Sequence, residues 1–195
     1  MPFTTGMLLF DDVEELDFAG PWEVFTTAKK DGDQVVSIAA EAGPVRGFNG
    51  LTMVADLGFA DAPPLDVLVV PGGWGTRKLA DDAAHNDWIR SVAQRCTWVT
   101  SVCTGAILLH SAGLLTGRKV TTHWAYVDTL REQADLTVLD DVRYVQDGNV
   151  VTAAGVSAGI DMALWLVGQM YDEDHSRAVQ RVIQYDPAPP YAKVG

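Results

Sequence analysis

No stretch constrains this chain more than residues 98–115, WVTSVCTGAILLHSAGLL. Its first five residues are mostly apolar or β-branched, as in a strand buried on both faces. Cys103, Thr104 and Gly105 follow. Ala106, Ile107, Leu108, Leu109 and Ala112 then read as a buried helix, with Gly113 placed to end it. Cys103 therefore stands where a buried strand turns into a helix. This is the position of a nucleophile elbow, whose strained turn lifts the central side chain above the sheet. N–H groups at the start of the helix point at that side chain, favour thiolate over thiol and can donate to an oxyanion. A depressed thiol pKa and high reactivity are thus expected of Cys103. Gly105 removes a Cβ where the turn must pack tightly. A lone cysteine can also be a small buried hydrophobe, but the junction and the small residues after it favour the reactive reading.

Strand-like and helix-like stretches alternate around this segment. Strands are expected at 5–10, 34–40, 66–71, 98–102, 119–121, 142–146 and 150–154, and a small hairpin within 43–56 at its Gly-Pro and Asn-Gly turns. Helices are expected at 18–30, 82–95, 123–133, 157–171 and 173–184, with Ser157 as an N-cap. The alternation specifies an α/β fold with a mostly parallel sheet sandwiched by helices. Ligands of such sheets lie outside the carboxyl ends of the strands, where Phe10, Gly73 and Cys103 fall.

With 195 residues and 48% hydrophobic content, the chain suits one domain over 1–195 with a sizeable core. Two cysteines make no disulfide framework. No leader and no membrane-spanning run is read, so a cytoplasmic protein is expected. A formal net charge of -12 disfavours nucleic acid and anionic membrane surfaces and points to a small neutral organic ligand.

Three further features could carry chemistry beside Cys103. Asp17, in EELDFAGPWEVF, is either an N-cap or a carboxyl group holding a proton near the thiol. Pro71-Gly72-Gly73 is either a plain turn or a source of an N–H, from Gly73, that faces developing negative charge together with the N–H of Thr104. His123, in TTHW, is a cap, a core residue or the base of a Cys-His pair. His85, His110 and His175 lack metal-ligand spacing, so no metal site is expected. Cys96 reads as structural. Trp22, Trp74 and Trp124 are core or pocket wall, and GWGT is no phosphate loop, because no Gly-Lys-Ser/Thr follows it.

These residues together resemble the ThiJ/PfpI superfamily. The resemblance runs over nearly the whole chain, through Asp17, LDFAGP, VVPGG, SVCTGA, AGLLTGRKVTTHW and AGVSAGIDMAL. It implies a flavodoxin-like, class I glutamine-amidotransferase-like fold. LDFAGP, SVCTG, TTHWAY and QYDPAPPY are most similar to the isocyanide-hydratase branch, whose members convert R–N≡C to an N-substituted formamide through a thioimidate, without metal or organic cofactor. The resemblance implies that Cys103 is the nucleophile, Asp17 the acid/base carboxyl, Thr104 a hydroxyl and amide facing the site, and Gly73 an oxyanion-type amide. Tyr185 and Val156 match pocket positions, with Trp74 and His123 as further pocket residues, and a homodimer is implied. Asp17 stands where many superfamily members carry Glu, which favours the hydratase branch over a peptidase. A small-amide hydrolase, a glyoxalase or deglycase-like enzyme, and a cysteine redox sensor are the other readings that the superfamily offers.

Overall fold

The computed structural model describes residues 2–133 and 135–189. In chain order the elements are β1 (Thr4–Leu8), α1 (Glu15–Ala28), β2 (Gln34–Ala39), β3 (Gly43–Arg46), β4 (Thr52–Ala55), β5 (Leu57–Gly58), β6 (Val67–Val70), α2 (Thr76–Leu79), α3 (Ala83–Ala93), β7 (Trp98–Val102) and α4 (Gly105–Ser111). There follow β8 (Lys119–Val120), α5 (Val127–Arg131), β9 (Thr137–Val138), β10 (Tyr144–Asp147), β11 (Val150–Ala153), α6 (Ala158–Met170) and α7 (Glu173–Val182). Single 3₁₀ turns lie at Phe59–Asp61 and Trp124–Tyr126.

Seven strands form one sheet in the order β10-β11-β7-β6-β1-β2-β5. All neighbours run parallel except β10, which pairs antiparallel with β11. The middle strands are buried runs of branched residues: Val67, Leu68, Val69 and Val70 of β6 are fully covered, as helices on both faces of a parallel sheet require. On the helical layers, α1, α6 and α7 pack together, and α4 packs with α2 and α3. The chain reverses its direction across the sheet between β1 and β6, which opens the crevice where such folds bind ligands. The edges are blunt. β5 has two residues, and at β10 the Asp147 carbonyl and carboxylate accept hydrogen bonds from Arg118 Nη1 and Lys119 N at 2.7 and 2.8 Å.

The expected helix at 18–30 instead begins at Glu15, so Asp17 lies in its first turn and Pro21 inside it. Gly20-Pro21 is not a start signal here but a packing device. A Cβ on Gly20 would lie 2.9 Å from Ile160 Cγ1, and one on Gly159 3.2 Å from Pro21 Cγ, so α1 and α6 meet at small residues. The expected helix at 123–133 is a 3₁₀ turn followed by the short α5. Ser157 occupies the N-cap of α6 but makes no side-chain cap bond; its Oγ accepts instead from Arg143 Nη2. Gly113 does end α4: it has φ 75°, and the Gly113→His110 and Leu114→Leu109 amide bonds form a Schellman motif.

Candidate active site

Cys103 follows the last residue of β7 and precedes α4 with φ 57°, in the left-handed region that a non-glycine residue occupies at a cost of about 1–2 kcal/mol. Its backbone is held from both sides. The N–H donates to the carbonyls of Ala153 and Ala154 at 3.1 and 3.0 Å, and the carbonyl accepts from Thr122 Oγ1 at 2.8 Å. Gly105 is obligatory beneath it, because a Cβ there would lie 2.1 Å from the Val70 carbonyl oxygen. The elbow expected from the sequence is therefore present.

Asp17 reaches this turn from α1 and is fully buried. Its Oδ2 accepts the Gly72 N–H at 2.9 Å, and its carboxyl group lies close enough to the Cys103 thiol for each to shift the titration of the other. Its Oδ1 has no partner. Burial pushes the Asp17 pKa up to about 7, helped by the charge of Glu14 and opposed by the Gly72 and Cys103 hydrogen bonds. The carboxyl group is thus neither a helix cap nor a permanently ionised residue; it exchanges a proton near neutrality. Gly72 was not singled out by the sequence reading, yet a Cβ there would lie 2.5 Å from Thr104 N and 2.8 Å from Asp17 Oδ2. The doubled glycine of PGG is the signal that would have found it.

The expected low thiol pKa does not appear. Burial, and then the Asp17 charge, push Cys103 up to about 12. The N–H groups of Thr104 and Val156 and the Thr104 hydroxyl act in the opposite direction. Three hydrogen bonds and a seven-residue helix do not outweigh desolvation beside a carboxylate. Neutralising Asp17 removes the second cause, so the proton of the carboxyl group and that of the thiol are coupled.

Gly73 differs from expectation in a second way. Its N–H donates to Thr104 Oγ1 at 3.0 Å rather than facing the thiol, and Gly73 bridges to Val13 with φ 124°. The amide beside Thr104 N–H at the sulfur belongs to Val156. Val156 itself has φ 46°, a rare conformation for a β-branched residue.

The remaining expected residues separate. Trp74 is 61% exposed, stacks on Phe48 at 6.3 Å and lies under the Arg77 guanidinium at 4.7 Å. The His123 ring lies against Gly155, whose Cβ would come within 2.4 Å of its Cδ2, and His123 Nδ1 accepts the Ala125 N–H at 3.2 Å. Burial, and then the Arg77 charge, lower its pKa, so it is a neutral capping residue. It forms no hydrogen bond with Cys103. A cavity of about 620 Å³ lined by Thr122, His123, Trp124, Gly155 and Val156 adjoins the Cys103 turn. Tyr185 lies elsewhere, facing Asp161 and Arg143 in a larger groove of about 1170 Å³; Cys103 lines neither cavity, but Thr122 and Val156, which bond its carbonyl and its sulfur, line the smaller one. The hydrogen-bonding groups around the thiol place the chemistry beside the smaller cavity. Pro190 and Tyr191, the last residues of QYDPAPPY, lie outside the described residues. Among the described residues, no three His, Cys, Asp or Glu side chains are grouped to hold a metal ion.

A buried carboxyl-thiol pair on a strand-to-helix elbow of a parallel sheet is how this chain presents its chemistry, and its sequence matches the DJ-1/PfpI family over residues 5–169; the chain belongs to that family. A relative from Pseudomonas putida, an isonitrile hydratase, is 42% identical over 191 residues, covering 98% of this chain and 82% of that protein. The crystal structure of a ThiJ/PfpI family protein from Pseudomonas syringae superposes with a TM-score of 0.91 at 33% identity, over 98% of this chain and 78% of that one. Drosophila melanogaster DJ-1beta shares the fold, with a TM-score of 0.85 at 21% identity over 96% of this chain and all of that one.

Proposed function

We propose that this protein is an isocyanide hydratase that converts R–N≡C and water to an N-substituted formamide, with Cys103 as nucleophile and Asp17 as its proton carrier. The observation that carries this reading is the buried Asp17 carboxyl group beside the Cys103 thiol, held by the Gly72 N–H at 2.9 Å and raised by burial to about 7. The similarity to an isonitrile hydratase over nearly the whole chain supports it.

The steps follow from the geometry. Asp17 carboxylate takes the thiol proton as Cys103 sulfur bonds to the terminal carbon. The carboxylic acid then delivers that proton to the same carbon, giving the thioimidate S–CH=N–R. Asp17, again a carboxylate, removes a proton from the attacking water. Asp17 passes that proton to the nitrogen, giving the tetrahedral S–CH(OH)–NH–R; as the C–S bond breaks, the hydroxyl proton returns to the sulfur, so HC(=O)–NH–R leaves and the thiol is restored. Two additions of modest difficulty replace one hard one. Thr104 and Val156 N–H groups stabilise negative charge on the sulfur, and Gly73 holds the Thr104 hydroxyl rather than the substrate. Val156, His123 and Trp124 wall the pocket for a small neutral R group, with Trp74 and Tyr185 at greater remove. This reading includes a single domain over 1–195, a cytoplasmic location and a homodimer. The neutral, capping His123 speaks against a Cys-His amidase.

Incubation with a small panel of alkyl and aryl isocyanides, with the formamide identified by mass spectrometry, tests the reading. Formamide production that disappears in Cys103→Ser supports it. Turnover of small amides or methylglyoxal, with no isocyanide consumed, overturns it.

A further inference from the structure

We propose that Thr122 is a positioning residue: anchored to β11, its hydroxyl holds Cys103 in the left-handed backbone that sets where the thiol side chain points. The inference rests on the reading of Cys103 as the nucleophile. It gives the two threonines of TTHW a task that His123 does not perform.

Cys103 belongs to neither of the elements beside it. β7 ends at Val102, and α4 begins its ladder at the Thr104 carbonyl, which accepts from Ile107 N at 3.0 Å. The peptide groups of Cys103 are held from elsewhere. Its N–H donates to the carbonyls of Ala153 and Ala154, at the end of β11, at 3.1 and 3.0 Å. Its carbonyl accepts from Thr122 Oγ1 at 2.8 Å. Thr122 follows Thr121, whose N–H donates to Thr152 Oγ1 of β11 at 2.8 Å. The hydrogen bonds therefore close a ring: β11 to the Cys103 N–H, the Cys103 carbonyl to Thr122, and Thr121 back to β11. Thr121, Thr122 and Thr152 are all buried, so these bonds act where water does not weaken them.

A residue at φ 57° keeps that geometry only when its surroundings over-determine it. The Ala153 and Ala154 carbonyls fix the N–H side of Cys103, and the Thr122 hydroxyl fixes the carbonyl side. The Cys103 carbonyl and the Thr104 N–H belong to one planar peptide unit, so the same hydroxyl also orients the N–H at the start of α4. Its loss frees that peptide to rotate and lets Cys103 relax toward right-handed geometry, which carries the side chain away from its place beside Asp17. His123 adds no such hold. Its ring lies against Gly155, and its Nδ1 accepts from Ala125 N at 3.2 Å. Asp17 from α1 is the charged group beside the thiol, with Glu14 acting on Asp17; His123, next to Thr122, is kept neutral by burial and the Arg77 charge. Thr122 carries no charge, so a changed titration of Cys103 in a Thr122 variant reports geometry.

The test is the pH profile of Cys103 alkylation by iodoacetamide in the full chain, read beside urea stability and Cys96 labelling. Thr122→Val keeps the shape and removes the hydroxyl. It is expected to slow Cys103 alkylation about fivefold, the net contribution of one hydrogen bond expressed as a rate, and to move the profile to higher pH. Thr122→Ser keeps the hydroxyl and is expected to recover both. Thr152→Val leaves Thr122 in place and is expected to act in the same direction by a smaller factor, which tests the anchor even where Thr122→Val does not fold. Thr100→Val is the matched control: that hydroxyl is also buried and donates to the Leu68 carbonyl at 3.0 Å, on the strand that leads into Cys103. It is expected to lower stability and leave Cys103 alkylation at the wild-type rate. Unchanged or faster alkylation in Thr122→Val or Thr152→Val, no recovery in Thr122→Ser, or equal slowing in Thr100→Val overturns the proposal. Alkylation involves no isocyanide, so failure of the hydratase reading would appear separately, as wild-type protein that alkylates normally but makes no formamide.

Discussion

Cys96 and Cys103 are alike in the two properties most often used to sort cysteines. They are 7% and 6% exposed, and both thiols are pushed up to about 12, first by burial and then by a neighbouring carboxylate, Asp66 for one and Asp17 for the other. What separates them is the supply of hydrogen bonds. Cys103 has a buried carboxyl group beside it, the Thr104 and Val156 amides acting to lower its pKa, and a backbone forced to φ 57°. Cys96 sits in an ordinary connection between α3 and β7 with none of these among the causes of its shift. Burial and titration therefore do not mark a nucleophile in this fold; a proton acceptor in contact and donors for the developing charge do.

Replacing each cysteine gives the sharpest contrast. Cys103→Ala is expected to reduce formamide production to background, and Cys96→Ala to leave it at the wild-type rate; equal losses in the steady-state assay would erase the distinction. Asp17→Asn keeps the shape and the Gly72 hydrogen bond but cannot carry a proton, and should lower turnover by about 10²–10⁴-fold.

The same substitution changes how stability depends on pH. The Asp17 carboxyl pKa rises from 3.8 to about 7 on folding, so the folded chain binds the proton more tightly than the unfolded one. Its stabilising contribution is complete below about pH 4 and is lost as pH rises through about 7. The difference between 3.8 and about 7 corresponds to about 4 kcal/mol at most. Urea unfolding of wild type should show that loss, whereas Asp17→Asn should be flatter over the same window and more stable above it.

Asp17→Asn also removes the charge that raises the Cys103 thiol. Above pH 7 its alkylation should accelerate severalfold while its hydration activity falls. Parallel losses of both would show that Asp17 serves chiefly to make thiolate. The smallest effect falls on Cys96→Ala, which should cost about 1 kcal/mol of stability, read from the same urea curves.

Much of the fold was legible because its signals are local. Residues 98–102 read as a strand from composition alone and form β7, and Gly113 ends α4 as its position suggested. The two-residue β5 and β9 and the four-residue α2 carry too few side chains for any periodicity. The early start of α1 was hidden because Gly20-Pro21 mimics a helix boundary, and only the contact with α6 explains those residues in mid-helix. At the site, the proximity of Asp17 and Cys103 was legible because both follow strands at one sheet edge. The thiol pKa was not, since burial is a property of the assembled core. The part played by Gly72, next to the Gly73 singled out in PGG, was hidden for a similar reason. It acts through its closeness to Thr104 and Asp17, residues far from it in sequence.

The blunt edges of the seven-stranded sheet have a consequence for the molecule in a crowded solution. An uncovered strand offers a row of unpaired amides and carbonyls on which another chain can grow. Here one end of the sheet is too short to template a partner. At the other, the Arg118 guanidinium that holds the Asp147 carbonyl puts a cationic side chain beside the strand that would have to be joined. Growth by strand addition is therefore disfavoured at both ends of this sheet.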